Sequence, residues 1–184
     1  LERIHKTDLV AFDREKLLWM NGYYLRNMSA NELWQILLKW SEEYEVDLHT
    51  GGAKEDFSVK VIGLIQERIK TLGEFVSLSH YFYHDPVLEE KLLYKYVKEK
   101  TRGQDIIKGF IDLYQQLEEG TWNVKHLEQN SHLFIEKNGY KPKEAFMTLR
   151  IAVTGEKATP PIFDILALLN KDIVLRRLNK ALGV

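Results

Sequence analysis

Residues 56–72 have the sequence DFSVKVIGLIQERIKTL, and this stretch decides the fold class. Its apolar residues recur every three or four positions, at Phe57, Val61, Ile65, Ile69 and Leu72. That spacing places them on one face of an α-helix, whereas a half-buried strand would require strict alternation. The pattern therefore predicts a helix over residues 56–72 with one buried stripe.

Helix start signals recur elsewhere in the chain. Ser29 and Glu32 have the spacing of a capping box, in which each side chain bonds the other residue's backbone N–H. Asp13 and Asn123 are placed to cap two further helices. Since period-2 alternation is almost absent along the whole chain, we predict an all-α protein.

The chain is expected to divide at His84-Asp85-Pro86. A residue that precedes proline avoids the α region, so a helix that begins near residue 74 should end there. The second half contains further apolar stripes, and Thr159-Pro160 has the form of a helix start, a capping residue followed by proline in the first turn. We predict two helical subdomains in tandem, residues 1–84 and residues 85–184.

The composition excludes several functional classes. The 184 residues include no cysteine, which rules out disulfides, thiol catalysis and cysteine-based zinc sites. No apolar run approaches the roughly 20 residues of a membrane span, and no secretory signal is present. Phosphate-binding loops, nucleophile elbows and HExxH motifs are also missing, so we predict no catalytic residues. The net charge of −1 implies that any contact with RNA must be local.

Two features could indicate a metal site, and we favour ordinary structural roles for both. His80 and His84 have helical spacing for metal binding, but no third ligand accompanies them. The acidic residues between positions 42 and 47 lack the glycine-bearing loop of a calcium site and are expected to form a solvated helix end. Trp19 and Trp34 lie on apolar stripes, so we expect core packing for both instead of stacking on bases.

Several stretches resemble those of bacterial-type glutamyl-tRNA synthetases, in the same order and spacing. They are residues 12–21 (FDREKLLWMN), 64–72 (LIQERIKTL), 149–155 (LRIAVTG) and 159–166 (TPPIFDIL). The resemblance covers essentially the whole chain and implies the all-helical C-terminal anticodon-binding region of a class I ligase, with the end of its stem-contacting region in the first half. At residues 169–172 the family's Leu-Gly-Lys-Glu is replaced by LNKD. Because asparagine also tolerates positive φ, we expect the turn to persist.

The resemblance also implies what this chain lacks. The HIGH and KMSKS motifs of the catalytic half do not occur, and the chain begins at Leu1, so we expect an excised fragment. Sites for ATP, magnesium and glutamate would lie in the missing half, which leaves no cofactor and no catalysis here. The implied partner is tRNA(Glu), with no DNA or membrane partner, and a cytoplasmic monomer is expected. Two alternatives remain: a helical protein-interaction scaffold, and a metal-dependent hydrolase that uses the two histidines.

By resemblance, Arg68 reads the third anticodon base and favours an enzyme that rejects tRNA(Gln). A guanidinium can donate to both acceptors on the edge of cytosine, which guanine does not present. The alternative is an ordinary surface arginine paired with Glu67 or Glu74. Lys70 and Arg176 are candidates for phosphate contacts.

The resemblance assigns the first anticodon base to Arg150 and Thr159. Arg150 could donate to pyrimidine O2, and Thr159 could offer a hydroxyl beside backbone N–H groups at a helix N-terminus. Pro160 and Ile162 would form an apolar wall. Thr159 would equally be explained as a helix cap, and Ile162 as a core residue.

Overall fold

The computed structural model describes residues 13–183, and that part of the chain contains helices and no strand. The predicted all-α class is therefore confirmed. The ten α-helices are α1 (Arg14–Asn27), α2 (Ala30–Glu43), α3 (Glu55–Ile65), α4 (Phe75–Tyr83), α5 (Glu90–Leu93), α6 (Lys100–Gln116), α7 (Val124–Lys137), α8 (Pro142–Thr154), α9 (Ile162–Leu169) and α10 (Lys171–Leu182). Three short 3₁₀ helices lie at Gln66–Arg68, Leu72–Glu74 and Glu119–Thr121. None of the helices in the described range is long and apolar enough to cross a membrane.

Three of the predicted helix caps, at Asp13, Ser29 and Asn123, are confirmed. The Asp13 carboxylate accepts from the Lys16 N–H at 3.0 Å, and the Ser29–Glu32 capping box is complete. Asn123 caps α7 through the His126 N–H at 3.2 Å. At the departure from the family pattern, Asn170 takes a positive φ of 65° and its side chain caps α10, so the turn persists.

The predicted helix over residues 56–72 is too long, because α3 ends at Ile65. The Gln66 side chain donates to the carbonyls of Leu25 and Met28, at 2.8 and 2.7 Å, and so satisfies the end of α1. The backbone then becomes extended at Ile69, which is fully buried. Contacts with a distant helix thus override the local periodicity, and Arg68 lies on a 3₁₀ turn instead of on a long helix.

The prediction for Trp34 is confirmed, and that for Trp19 is wrong. Trp34 is 6% exposed in the core, whereas Trp19 is 64% exposed. Only Gly22 and Leu25 of α1 are buried, because α1 approaches the rest of the described chain through that face, close to the backbone of residues 69–70. The remaining apolar residues of α1 point outward.

The two halves of the chain share one core. Buried apolar side chains on both sides of residue 84 form a single cluster, and α3 packs against α9. Arg177 is 2% exposed, and its Nη1 donates to the carbonyls of Tyr81 and Val153, at 2.7 and 2.9 Å. Its Nη2 donates to His84 O at 2.8 Å and its Nε to Asp85 Oδ1 at 3.2 Å. The division into two subdomains at this junction stays a prediction.

Two helix-interior glycines should respond oppositely to alanine. In α6, a Cβ on Gly109 would collide with the Phe134 ring, whereas at Gly63 in α3 it would meet no heavy atom within 4 Å. We expect Gly109→Ala to lower the free energy of unfolding by about 1–3 kcal/mol through overpacking. Gly63→Ala should raise it by about 0.5–1 kcal/mol, because alanine loses less backbone entropy in a helix. Urea denaturation measures both, and equal shifts in the two variants would contradict the packing described for Phe134.

Candidate nucleic-acid interface

Arg68 and Arg150 meet at the loop between α8 and α9. Arg68 closes the 3₁₀ turn after α3 and donates from Nη2 to Thr159 O at 2.6 Å. Arg150, near the end of α8, donates from Nη1 to Pro160 O at 2.7 Å and to the Thr159 hydroxyl. Residues from distant parts of the sequence are thereby brought to one short segment, and both arginines donate to the same carbonyl, Thr159 O.

Neither arginine is neutralised by a carboxylate. Within residues 13–183, no acidic oxygen lies within 4.0 Å of either guanidinium. The alternative in which Arg68 pairs with Glu67 or Glu74 is therefore wrong as to the pairing. Glu74 accepts instead from the backbone N–H groups of Lys70 and Thr71, at 2.6 and 3.2 Å. Two uncompensated positive charges beside each other favour an anionic or strongly polar ligand.

Both guanidiniums keep donors for such a ligand. A guanidinium has five N–H donors in a planar fork, and one nitrogen of each arginine faces the loop. Arg68 is exposed and Arg150 is half-buried. Burial lowers the pKa of Arg150, and the charge of Arg68 lowers it further, yet an arginine remains protonated at neutral pH. The loop carbonyls thus orient the two groups without removing their charge.

Tyr81 is near enough to both arginines for their charges to act on its phenol, although no sequence signal pointed to it. It is 2% exposed, and burial raises the pKa of its phenol, while the charges of Arg68 and Arg150 act in the opposite direction. Glu156 also acts on this phenol, and its carboxylate lies 3.8 Å from His80 Nε2. Tyr81 belongs to the aromatic run Tyr81-Phe82-Tyr83, and nothing in its spacing distinguishes it from its neighbours.

The loop residues differ from their predicted arrangement. Thr159 does not cap a helix: α9 begins at Ile162, and Pro161 occupies the cap position. The Thr159 hydroxyl donates to Pro160 O at 2.9 Å and accepts from Arg150, and the residue is 5% exposed. The two consecutive prolines delay the helix, because a residue before proline avoids the α region. Thr159 therefore orients Arg150, and its hydroxyl is not directly open to a ligand.

The two residues that were expected to form an apolar wall are buried. Pro160 is buried, and Ile162 is 5% exposed and belongs to the core, as its alternative interpretation predicted. The first turn of α9 has no side-chain cap, so the backbone N–H groups at that helix end have no side-chain acceptor within the described residues. Backbone donors, together with the two arginines, are the polar groups that this segment offers.

The two candidate phosphate contacts have different surroundings. Lys70 is exposed and lies two residues from Arg68. Arg176 is 62% exposed, but its Nη2 lies 2.9 Å from Asp85 Oδ1, which offsets its charge. Lys70 is therefore the better candidate of the two.

Each of the two histidines has a ring nitrogen within hydrogen-bond distance of a backbone carbonyl. His84 Nε2 lies 2.7 Å from His49 O, and His80 Nδ1 lies 3.0 Å from Ser77 O. In the part of the chain that the structure describes, no three His, Asp or Glu side chains are grouped as metal ligands. The geometry gives the hydrolase alternative no support.

Comparisons with known proteins identify the family and the fold. Residues 26–182 match the family model of an anticodon binding domain. The chain is 33% identical over 172 residues to a glutamate–tRNA ligase of Elusimicrobium minutum and 32% identical over 184 residues to one of Symbiobacterium thermophilum; the matches cover 92% and 97% of this chain. A crystal structure of a glutamate tRNA ligase from Elizabethkingia meningosepticum has the same fold, with a TM-score of 0.77 and 24% identity over 94% of this chain and 33% of that one.

The chain spans about a third of the length of these relatives, 34% and 36% for the two ligases. The expected resemblance is confirmed along almost all of the sequence. The chain belongs to the family of anticodon-binding domains, and it matches the C-terminal anticodon-binding region of glutamate–tRNA ligases.

Proposed function

We propose that this chain binds tRNA(Glu) through its anticodon and supplies that recognition to a glutamate–tRNA ligase. The observation that carries the proposal is the convergence of Arg68 and Arg150 on the Thr159–Pro160 segment. Recognition of single-stranded RNA requires donors and acceptors that meet the edges of unstacked bases. The two guanidinium groups, both held against the Thr159–Pro160 segment, provide such donors.

The chemistry of the third anticodon base suits Arg68. Cytosine presents O2 and N3 as neighbouring acceptors, and a planar guanidinium can donate to both. Guanine presents N1–H and N2–H donors at that edge, so a donor-only side chain would leave them unpaired. Arg150 and the N–H groups at the start of α9 would serve the first base. Thr159 has a supporting role in this proposal, because its hydroxyl is already bonded to Arg150.

The relatives support the wider role. They are ligases about three times as long as this chain, so we propose that ATP, glutamate and magnesium bind elsewhere in such an enzyme. No three His, Asp or Glu side chains of the described residues are grouped as metal ligands, and we assign no chemical step to these residues. We further propose that this part acts as a monomer in the cytoplasm.

A titration with matched tRNAs tests the proposal. We expect the chain to bind unlabelled glutamate tRNA in competition with a labelled copy, and a glutamine tRNA to compete at least tenfold less well, since one specific base contact discriminates by about 1–3 kcal/mol. Affinity should fall as salt increases. Equal competition by both tRNAs would contradict anticodon recognition.

Arg150→Ala should weaken binding mainly through the first anticodon base. We expect a loss of about tenfold with glutamate tRNA, because the donors to pyrimidine O2 are removed. Changing the first base to adenine should weaken the wild type, but should have little further effect on the variant. Additive losses from the two changes would show that Arg150 acts elsewhere, since residues in contact give non-additive effects.

A helical protein-interaction scaffold remains a second candidate, and one observation favours it. Trp19 and Tyr23 are exposed on α1, and their rings stack with centroids 5.9 Å apart. Exposed aromatic residues on a helix are typical of protein interfaces. Binding of a protein partner without any affinity for tRNA would support this candidate and exclude the first.

A further inference from the structure

A basic cleft lies between the start of α8 and the segment that joins α5 to α6. It measures about 610 Å³. Its basic residues are Lys95, Lys98, Arg102, Lys141 and Lys143. The four lysines are exposed. In a chain whose net charge is −1, such a cluster marks a surface of unusual local potential.

The acidic residues of the cleft do not cancel this charge. Glu144 is 7% exposed and is bound by Arg102, with Nε–Oε1 and Nη2–Oε2 distances of 2.5 and 3.0 Å. Its pKa is lowered, chiefly by that hydrogen bond, so it remains an ionised partner of the arginine. Of the acidic residues that line the cleft, Glu99 then remains to offset the four lysines, so the cleft carries an excess of positive charge.

Aromatic rings accompany the charges. Lys143 Nζ lies 5.8 Å from the centre of the Tyr96 ring, and the Arg102 guanidinium lies 5.0 Å from that of Tyr140. These cation–π contacts hold the side chains over the cleft without reducing their charge. Basic groups interleaved with aromatic rings are characteristic of surfaces that follow a nucleic-acid backbone.

The cleft and the arginine site share helix α8, which contributes Lys143 to the first and Arg150 to the second. Lys143 and Arg150 are seven residues apart on this helix, which is nearly two full turns, so they lie on the same face about 10 Å apart along the axis. A single RNA strand can contact both positions. An acidic peptide would also find positive charge here, but the alignment with the proposed base-reading residues favours RNA.

We infer that this cleft binds the sugar-phosphate backbone of the same tRNA, outside the anticodon bases. The inference rests on the proposed function and extends it, since it adds a contact that depends on charge and not on base sequence. Each phosphate that is neutralised contributes about 0.7–0.9 to the slope of log affinity against log salt. The slope therefore separates this contact from base recognition.

The test uses Lys95→Gln/Lys143→Gln in the whole 184-residue chain. We expect binding of glutamate and glutamine tRNAs to weaken by the same factor, about fivefold to tenfold at low salt, and the salt slope to fall by about 1.4–1.8. Both lysines are exposed, so the thermal midpoint should not change. Lys39→Gln/Lys125→Gln, which removes two exposed lysines outside the cleft, should leave the slope as in the wild type.

An unchanged slope in the cleft variant, with preference for glutamate tRNA intact, would overturn the inference and leave the proposed function standing. Equal lowering of the slope in both double variants would also overturn it, because the effect would then come from total charge. If the variant loses binding to polyglutamate but keeps its binding to tRNA, the cleft is a protein site and the inference fails. If the wild type shows no preference between the tRNAs, the proposed function fails, whatever the slope.

Discussion

Arg68→Gln should reduce the preference of this chain for C over G at the third anticodon position by about tenfold to a hundredfold. The change replaces a guanidinium, which would donate to O2 and N3 of cytosine, with an amide, which offers both a donor and an acceptor. An amide can therefore meet guanine as well as cytosine. Competition binding with glutamate tRNAs that differ only at this base measures the effect.

The structure makes this variant a clean probe. Arg68 is exposed, and its one hydrogen bond to the protein in the described region is to Thr159 O, which a glutamine amide could partly replace. Stability should therefore change little. Lys70→Gln is the matched control, since it removes an exposed charge two residues away. This variant should bind both tRNAs more weakly by the same factor, and its slope of log affinity against log salt should fall by about 0.7–0.9. If Arg68→Gln behaved like this control, Arg68 would be a phosphate contact and not a base contact.

Arg177→Met should destabilise the fold by about 3–5 kcal/mol, the typical cost of removing one partner from a buried ionic network. Arg177 is 2% exposed and joins the end of α4, the end of α8 and the junction at Asp85. Without it, the buried carbonyls of Tyr81 and Val153 and the carbonyl of His84 lose this donor. Urea denaturation of the variant measures the loss.

Arg176→Met is the matched control for that prediction. Arg176 contacts the same Asp85 oxygen, at 2.9 Å, but it is 62% exposed, and an exposed pair contributes about 0–1 kcal/mol. A large loss in Arg177→Met alone would locate the stabilisation in the carbonyl contacts. Equal losses in the two variants would locate it in Asp85 and contradict the role given to the buried arginine.

The sequence predicts those features of the fold that depend on neighbouring residues. The Ser29 capping box involves residues three positions apart, so its spacing was sufficient. The end of α3 at Ile65 was not predictable in this way, because it depends on Gln66 reaching the carbonyls of Leu25 and Met28 in another helix. The burial of Arg177 and the exposure of Trp19 likewise depend on which helices meet.

The same distinction between neighbouring and distant residues applies to the candidate site. Arg68 and Thr159 are 91 residues apart, and no spacing rule could have paired them. Family resemblance named both residues, but it did not indicate that Thr159 would be buried under Arg150. Tyr81 could not be distinguished from neighbouring aromatic residues, because the effect of the two arginine charges on its phenol arises only from tertiary packing.

The most direct measurement of the central claim follows the arginine Nε–H resonances while an anticodon stem-loop of glutamate tRNA is added to the 21.6 kDa chain. We predict that the resonances of Arg68 and Arg150 shift together and saturate at the same RNA concentration, while that of Arg177 stays in place. Saturated binding that leaves both Arg68 and Arg150 unshifted would contradict their proposed role in reading the anticodon.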